Sequence, residues 1–202
     1  LPEHARGHNR SLVLQTLYRA GQRSRADIAR ETGLTRVTIS DLVAELIVEG
    51  LIIETGQRED SRPGKPATLL DLNRGAFQIV GIDLSGYATF RGAVLDLDGQ
   101  ILHRAELALD RATGADATAL VTTLTETLIA AATLPVLGIG VGSPGVVDLA
   151  GVVLSAPNLG WTEVPLGDMV REAMVTQYGY SPPVTVNNDA DLGAIAEHAR
   201  GV

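Results

Sequence analysis

The stretch from Ser24 to Gly50, S-R-A-D-I-A-R-E-T-G-L-T-R-V-T-I-S-D-L-V-A-E-L-I-V-E-G, constrains the chain most, because it predicts two short helices joined by a tight turn. Ser24 stands at an N-cap position with Asp27 three residues on, as in a capping box. Gly33 supplies a permissive backbone between the helices, and Thr35 caps the second. In that second helix Ile39, Leu42, Val43, Leu46 and Ile47 recur at helical period and form one apolar stripe. Val37, Asp41, Ala44 and Val48 then fall on the opposite side. Two readings are open: a helical hairpin inside a core, or a helix-turn-helix that inserts its second helix into a DNA groove. In the second, Val37 packs on a thymine methyl, while Ser24, Arg25, Arg36, Thr38 and Ser40 are candidate contacts to phosphates or base edges.

The residues that follow favour the second reading. L-I-I-E-T-G after Gly50, and A-T-L-L-D-L-N after the R-P-G-K-P stretch, predict two strands around an exposed tip, which is a wing. The tip carries Arg58, Arg62 and Lys65, the last being the sole lysine in the sequence, stiffened by Pro63 and Pro66. Arg62 and Lys65 on such a finger suit the narrow, electronegative minor groove of A·T-rich DNA, although Glu59 and Asp60 dilute the charge. A solvated hairpin tip remains the alternative. Upstream, Leu14, Leu17 and Tyr18 lie at helical spacing in H-N-R-S-L-V-L-Q-T-L-Y-R-A-G, which Gly21 ends. Three helices and a wing make a DNA-binding domain over residues 1–73.

Charge supports a division there. The first 72 residues carry equal numbers of basic and acidic side chains, so the net charge of −8 belongs to the remainder. That remainder is repelled by phosphate, and DNA contact is expected in the first part alone. The sequence has no cysteine, which excludes disulfides and thiolate metal sites within it. No basic region precedes an apolar run at the N-terminus, so no signal peptide is expected. The apolar helix from Ala117 to Leu134 is interrupted by Glu126 and threonines, which argues against a membrane span. A soluble, cytoplasmic protein is the expectation. The chain opens on Leu1 rather than methionine, as a trimmed sequence would.

From Phe77 onward strands and helices alternate. Q-I-V-G-I-D-L, Y-A-T-F-R-G-A-V-L-D-L and Q-I-L-H-R-A-E-L-A-L predict three strands, with Asp98-Gly99 turning the last two. A helix over about 113–133, a strand V-L-G-I-G-V, an extended piece over 152–156, a helix over 166–178, a strand V-T-V and a last helix over 192–200 follow. Three antiparallel strands followed by helix, strand, helix, strand is the order of one actin-like, ribonuclease-H-like lobe. The predicted fold is thus mixed: an all-α winged helix-turn-helix domain, then an α/β lobe over 74–202.

Four segments carry a family resemblance: G-I-D-L-S-G, G-I-G-V-G-S-P-G-V-V-D, P-N-L-G-W and N-N-D-A-D-L-G-A-I-A-E. In this order, behind a winged helix, they resemble the ROK family, which groups bacterial sugar-responsive repressors with sugar kinases. The N-terminus is similar to the repressor branch. The resemblance implies sugar contacts at Gly145, Asn158, Asn188 and Asp189, with Asp189 at the position a kinase uses as general base. It implies no catalytic residue in a repressor, where the same carboxylate only hydrogen-bonds a hydroxyl.

Each segment also has a plainer reading. G-V-G-S-P-G over 140–145 matches a dinucleotide-binding pattern, yet Pro144 and G-V-V-D continue as turn and strand where that motif needs a helix. Its glycines either admit a small polar ligand or simply end a strand. Trp161 reads as a core plug, and Asp189 or Asp191 as helix caps. Family kinases cradle phosphates on an Asp-x-Gly-Gly-Thr-like turn, where this sequence has Asp83-Leu84-Ser85-Gly86-Tyr87. Asp83 is a possible magnesium ligand or a buried strand-end carboxylate. The family pattern continues past the equivalent of Val202 into a second lobe with a structural zinc cluster and an adenosine pocket, so no cofactor is expected in this chain.

The expected function is a sugar-responsive regulator, a repressor that binds operator DNA as a homodimer away from any membrane. A ROK sugar kinase carrying a DNA-binding domain is the rival, and a DNA-tethered module without ligand recognition the third reading.

Overall fold

The computed structural model describes residues 2–57 and 66–191. It divides into two compact units, residues 1–76 and 77–202.

In the first unit the opening helix α1 spans Pro2–Ala20, further upstream than the apolar spacing alone indicated. Gly21, at φ 68°, ends it by donating its amide to the Leu17 carbonyl. A two-residue strand β1 (Arg23–Ser24) leads into α2 (Arg25–Thr32), Gly33 turns the chain at φ 73°, and α3 (Arg36–Val48) follows. The capping box forms: Asp27 N donates to Ser24 Oγ at 3.2 Å and Ser24 N to Asp27 Oδ2 at 3.2 Å. Thr35 Oγ1 accepts from Thr38 N at 3.2 Å and starts α3.

Ile39, Leu42, Val43 and Leu46 are buried, and with Val13, Leu17, Ile28, Ile52 and Leu70 they form the core of this unit. Tyr18 does not join them. It is largely exposed, with the Arg74 guanidinium 5.6 Å above its ring. The wing strands β2 (Ile52–Gln57) and β3 (Thr68–Leu72) pair antiparallel with a bulge between Glu54 and Gly56. Strand β1 adds to the other edge of β3, with Ser24 opposite Leu69, a pairing that no local pattern announces.

The second unit is built on a five-stranded sheet. Its antiparallel meander comprises β4 (Gln78–Asp83), β5 (Thr89–Leu95) and β6 (Ile101–Ala108). After α4 (Gly114–Ala131) comes β7 (Val136–Ser143), parallel to β4. A small antiparallel sheet then interrupts the alternation: β8 (Val146–Val147), β9 (Val153–Ala156), a 3-10 turn (Pro157–Leu159) and β10 (Trp161–Val164). Its first two strands match the strand expected in G-V-V-D and the extended piece expected over 152–156, while β10 had no counterpart. Helix α5 (Leu166–Tyr178) returns the chain to β11 (Val184–Asn188), parallel to β7, giving the order β11-β7-β4-β5-β6. This is the mixed architecture expected, a winged helix-turn-helix followed by an α/β lobe. The helix anticipated over 192–200 lies outside the described residues.

Helix α4 packs Val121, Leu124 and Leu128 onto this sheet, close enough that a Cβ on Gly92 would meet Leu128 Cδ1 at 2.4 Å. Its threonines donate to carbonyls one turn back, as Thr125 does to Val121 at 2.8 Å, so their hydroxyls are satisfied inside the helix. Trp161 is buried, and its indole N–H donates to the Gly114 carbonyl at 3.0 Å, which fastens β10 to the start of α4.

Candidate functional site

The outward side of α3 is the first candidate surface. Val37 is 72 % exposed and Val48 88 % exposed, with Asp41 and Ala44 exposed between them, while the apolar stripe is turned inward. Arg36 is exposed, and its guanidinium has no hydrogen-bond or ion-pair partner among the described residues. Ser40 is exposed, but its hydroxyl donates to the Arg36 carbonyl at 2.9 Å. Thr38 Oγ1 lies 2.9 Å from Thr35 Oγ1. Arg25 reaches Glu54 on the wing at 3.2 Å.

Ser24 must be reassigned. It is 3 % exposed, and its hydroxyl donates to Asp27 Oδ2 at 2.7 Å while accepting from the Asp27 amide. Burial and the capping box leave it no freedom to meet a phosphate, so its role is structural. The tip residues Arg58, Arg62 and Lys65 lie outside the described residues.

Alongside α3, α1 supplies the counter-charges. Arg6 contacts Glu45, and Arg10 lies 3.7 Å from Glu45 and 2.5 Å from Glu49. The Arg10 hydrogen bond holds the Glu49 carboxyl below its usual range, and the same bond raises the Arg10 guanidinium.

The second candidate surface lies where β7 and β11 end. Asn188 Nδ2 donates to the Gly145 carbonyl at 2.5 Å, while its Oδ1 accepts from Ala190 N at 2.9 Å and Asp191 N at 3.2 Å. Residues 189–191 are helical, so Asn188 occupies the capping role expected of Asp189 or Asp191. Asp189 is half-buried beside it and accepts from the Ala190 amide at 2.9 Å.

Gly145 has φ 86°, and a Cβ there would sit 2.0 Å from the Ser155 carbonyl oxygen. The β9 backbone crosses directly over it and runs on to the exposed Asn158 in the 3-10 turn. Gly145 and Asn188 are therefore in direct contact, with the Asn158 segment beginning beside them. The Ser155 carbonyl that makes glycine obligatory had no sequence signal, because it is a backbone atom brought in by pairing.

The glycine run is otherwise ordinary sheet. Gly140 and Gly142 lie within β7, registered with β4 on one side and β11 on the other, and no helix starts among them. Among these glycines only Gly145 stands at a turn, just beyond the end of the strand.

At the end of β4, Asp83 is exposed rather than buried, and its carboxylate accepts from the Ser85 amide at 2.9 Å. Gly86 is crowded, since a Cβ there would meet the Thr89 carbonyl oxygen at 2.3 Å. Tyr87, 90 % exposed, lines a shallow cleft of about 330 Å³ with Ala88, Asp110 and Arg111. Asp110 and Arg111 both have positive φ, at 44° and 64°, in the turn between β6 and α4. Among the described residues no group of three or more histidines or carboxylates could hold a metal ion. Nor is any helix among them long and apolar enough to cross a membrane.

This geometry has relatives. The ROK family model matches residues 79–202, and the MarR family model residues 8–63. A putative xylose repressor from Caldicellulosiruptor sp. (strain Rt8B.4) is 35 % identical over 194 residues, covering 94 % of this chain and 47 % of that protein. The crystal structure of a ROK family transcriptional regulator, a homologue of the E. coli MLC protein, superposes with a TM-score of 0.82 at 28 % identity. It covers 98 % of this chain and 50 % of that one. A ROK family glucokinase from Streptomyces griseus, solved with glucose and AMPPNP, matches more narrowly. Its TM-score is 0.51 at 28 % identity, over 62 % of this chain and 37 % of that one. The chain spans about half the length of the curated relatives it matches. With the lobe matched through its whole α/β portion and a winged helix-turn-helix in front of it, the chain belongs to the ROK family.

Proposed function

We propose that this chain is the DNA-reading and first-lobe portion of a sugar-responsive transcriptional repressor. What carries the reading is the likeness to a repressor and to a transcriptional regulator over 94 % and 98 % of the chain, whereas the likeness to glucokinases covers 60 % and 62 % of it. In this reading α3 enters the major groove with Arg36, Val37, Thr38 and Ser40 foremost, and Arg62 and Lys65 on the wing follow the minor groove. The first unit, whose charge is close to zero, supplies few phosphate contacts alone, which favours a homodimer on two half-sites. Gly145, Asn158, Asn188 and Asp189 contact the effector, for which the relatives' names make xylose the first candidate. The effector acts by preferring one pose of the DNA-binding unit over another. Footprinting of the full-length protein on its own promoter, with and without xylose and other sugars, tests this; occupancy that no sugar alters counts against it.

A sugar kinase is the second reading, favoured by the glucokinase likeness and by Asp189 at the base-like position. Against it stand Ser85 and Tyr87 in the turn after β4, whose side chains occupy the places of a phosphate-cradling glycine and threonine. Robust sugar-dependent ADP release by the full-length protein reverses the order of the two readings.

A further inference from the structure

We infer that Asp41 is a base-reading residue, accepting a hydrogen bond from the N4 amino group of a cytosine close to the thymine that Val37 covers. The inference rests on the proposed DNA-binding role of α3 and goes beyond it by assigning a specificity determinant. Helix α3 and its C-cap carry three carboxylates, Asp41, Glu45 and Glu49. Glu45 and Glu49 are neutralised by Arg6 and Arg10 from α1. Asp41 is exposed and has no partner among the described residues, although Arg6 borders the same cleft of about 250 Å³ and turns to Glu45 instead.

Asp41 lies one turn beyond Val37, on the same outward side, about 6 Å along the axis and so within about two base-pair steps. A bare carboxylate on a groove-facing side is repelled by phosphate unless a donor meets it. The major groove offers amino donors on cytosine N4 and adenine N6, and adenine places the N7 lone pair beside its donor, which disfavours a carboxylate. Cytosine is therefore the match.

The test is selection of randomised duplexes by the full-length protein, followed by anisotropy titrations of the enriched motif. Wild type is expected to enrich a C·G pair near a thymine and to lose about tenfold in affinity when that pair alone is changed. Asp41→Ala is expected to erase discrimination at that position while raising affinity for other duplexes. Asp41→Asn is expected to enrich adenine there, since an amide pairs with adenine N6 and N7. Circular dichroism confirms the fold of both variants. If Asp41→Ala tightens binding to every duplex by one factor with the motif unchanged, the carboxylate only repels and the inference fails alone. If wild type enriches no motif, the DNA-binding reading falls and takes this one with it.

Discussion

The side-chain amide of Asn188 donates to the carbonyl of Gly145 at 2.5 Å, while the oxygen of the same amide caps the helical turn that follows β11. One planar group thus holds the turn after β7 and the start of the next helix in a fixed relation. Asn188→Asp tests it, because a carboxylate keeps both cap bonds but turns an acceptor toward the Gly145 carbonyl. Loss of the bond and the unsatisfied contact predict about 1–3 kcal/mol of destabilisation by urea denaturation. Gly145→Ala is expected to cost more, roughly 2–4 kcal/mol, from positive-φ strain together with the collision with Ser155.

Ser24 and Val37 are expected to separate stability from recognition. Ser24→Ala removes the cap and should lower stability by about 1 kcal/mol without altering which duplex is selected. Val37→Ser, at an exposed position, should change stability by less than about 0.5 kcal/mol and weaken the preference for thymine. Melting curves and duplex selection on the same preparations check both.

Leu46 is fully buried in the first unit, and Trp161, the sole tryptophan, lies in the second. Leu46→Ala is expected to destabilise the first unit by about 2–5 kcal/mol. Part of the far-UV dichroism should then melt early while Trp161 fluorescence keeps its transition. A common shift of both signals would show that the two units unfold together.

The Arg10–Glu49 pair predicts a pH dependence. Glu49 is lowered in the folded chain by its bond to Arg10, so its contribution is present above the ordinary glutamate range and is lost as pH falls through the lowered value. The raised Arg10 group contributes fully below the ordinary arginine value and loses that contribution only as pH rises through the raised one, far from working pH. Both side chains are substantially solvent-exposed, at 28 % and 43 %, so a double-mutant cycle should give no more than about 1 kcal/mol, shrinking with salt.

Lys65→Ala is expected to weaken DNA binding across sequences and to lower the log–log salt slope by about 0.9 if it meets one phosphate. Titrations at several salt concentrations measure this directly.

The helical units were legible because their signals are local. The stripe Ile39, Leu42, Val43 and Leu46 repeats at the helical period, and Ser24, Asp27, Gly33 and Thr35 mark ends within three or four residues. The strands β4 to β7 and the helices α4 and α5 were similarly readable. What stayed hidden depends on distant partners. Ser24 resembled a contact residue because nothing in its neighbours reveals that β1 pairs with β3 and buries it. Tyr18 matched the spacing of Leu14 and Leu17 but falls at the edge of the stripe, where Arg74 meets it. Strand β10 escaped notice because it is four residues long, with Glu163 at a positive φ of 52°, a conformation that side-chain pattern does not encode. At the candidate sugar site the residue types were visible, but the crossing of β9 over Gly145 was not.

The pairing of β1 with β3 joins the hinge between α1 and α2 to the base of the wing, and Ser24 takes part in both the cap and the ladder. The start of α2 and the two wing strands β2 and β3 accordingly share one hydrogen-bonded framework. On the proposed DNA-binding reading, a duplex whose neighbouring grooves are spaced differently is expected to be rejected by misfit, before any individual base has been inspected.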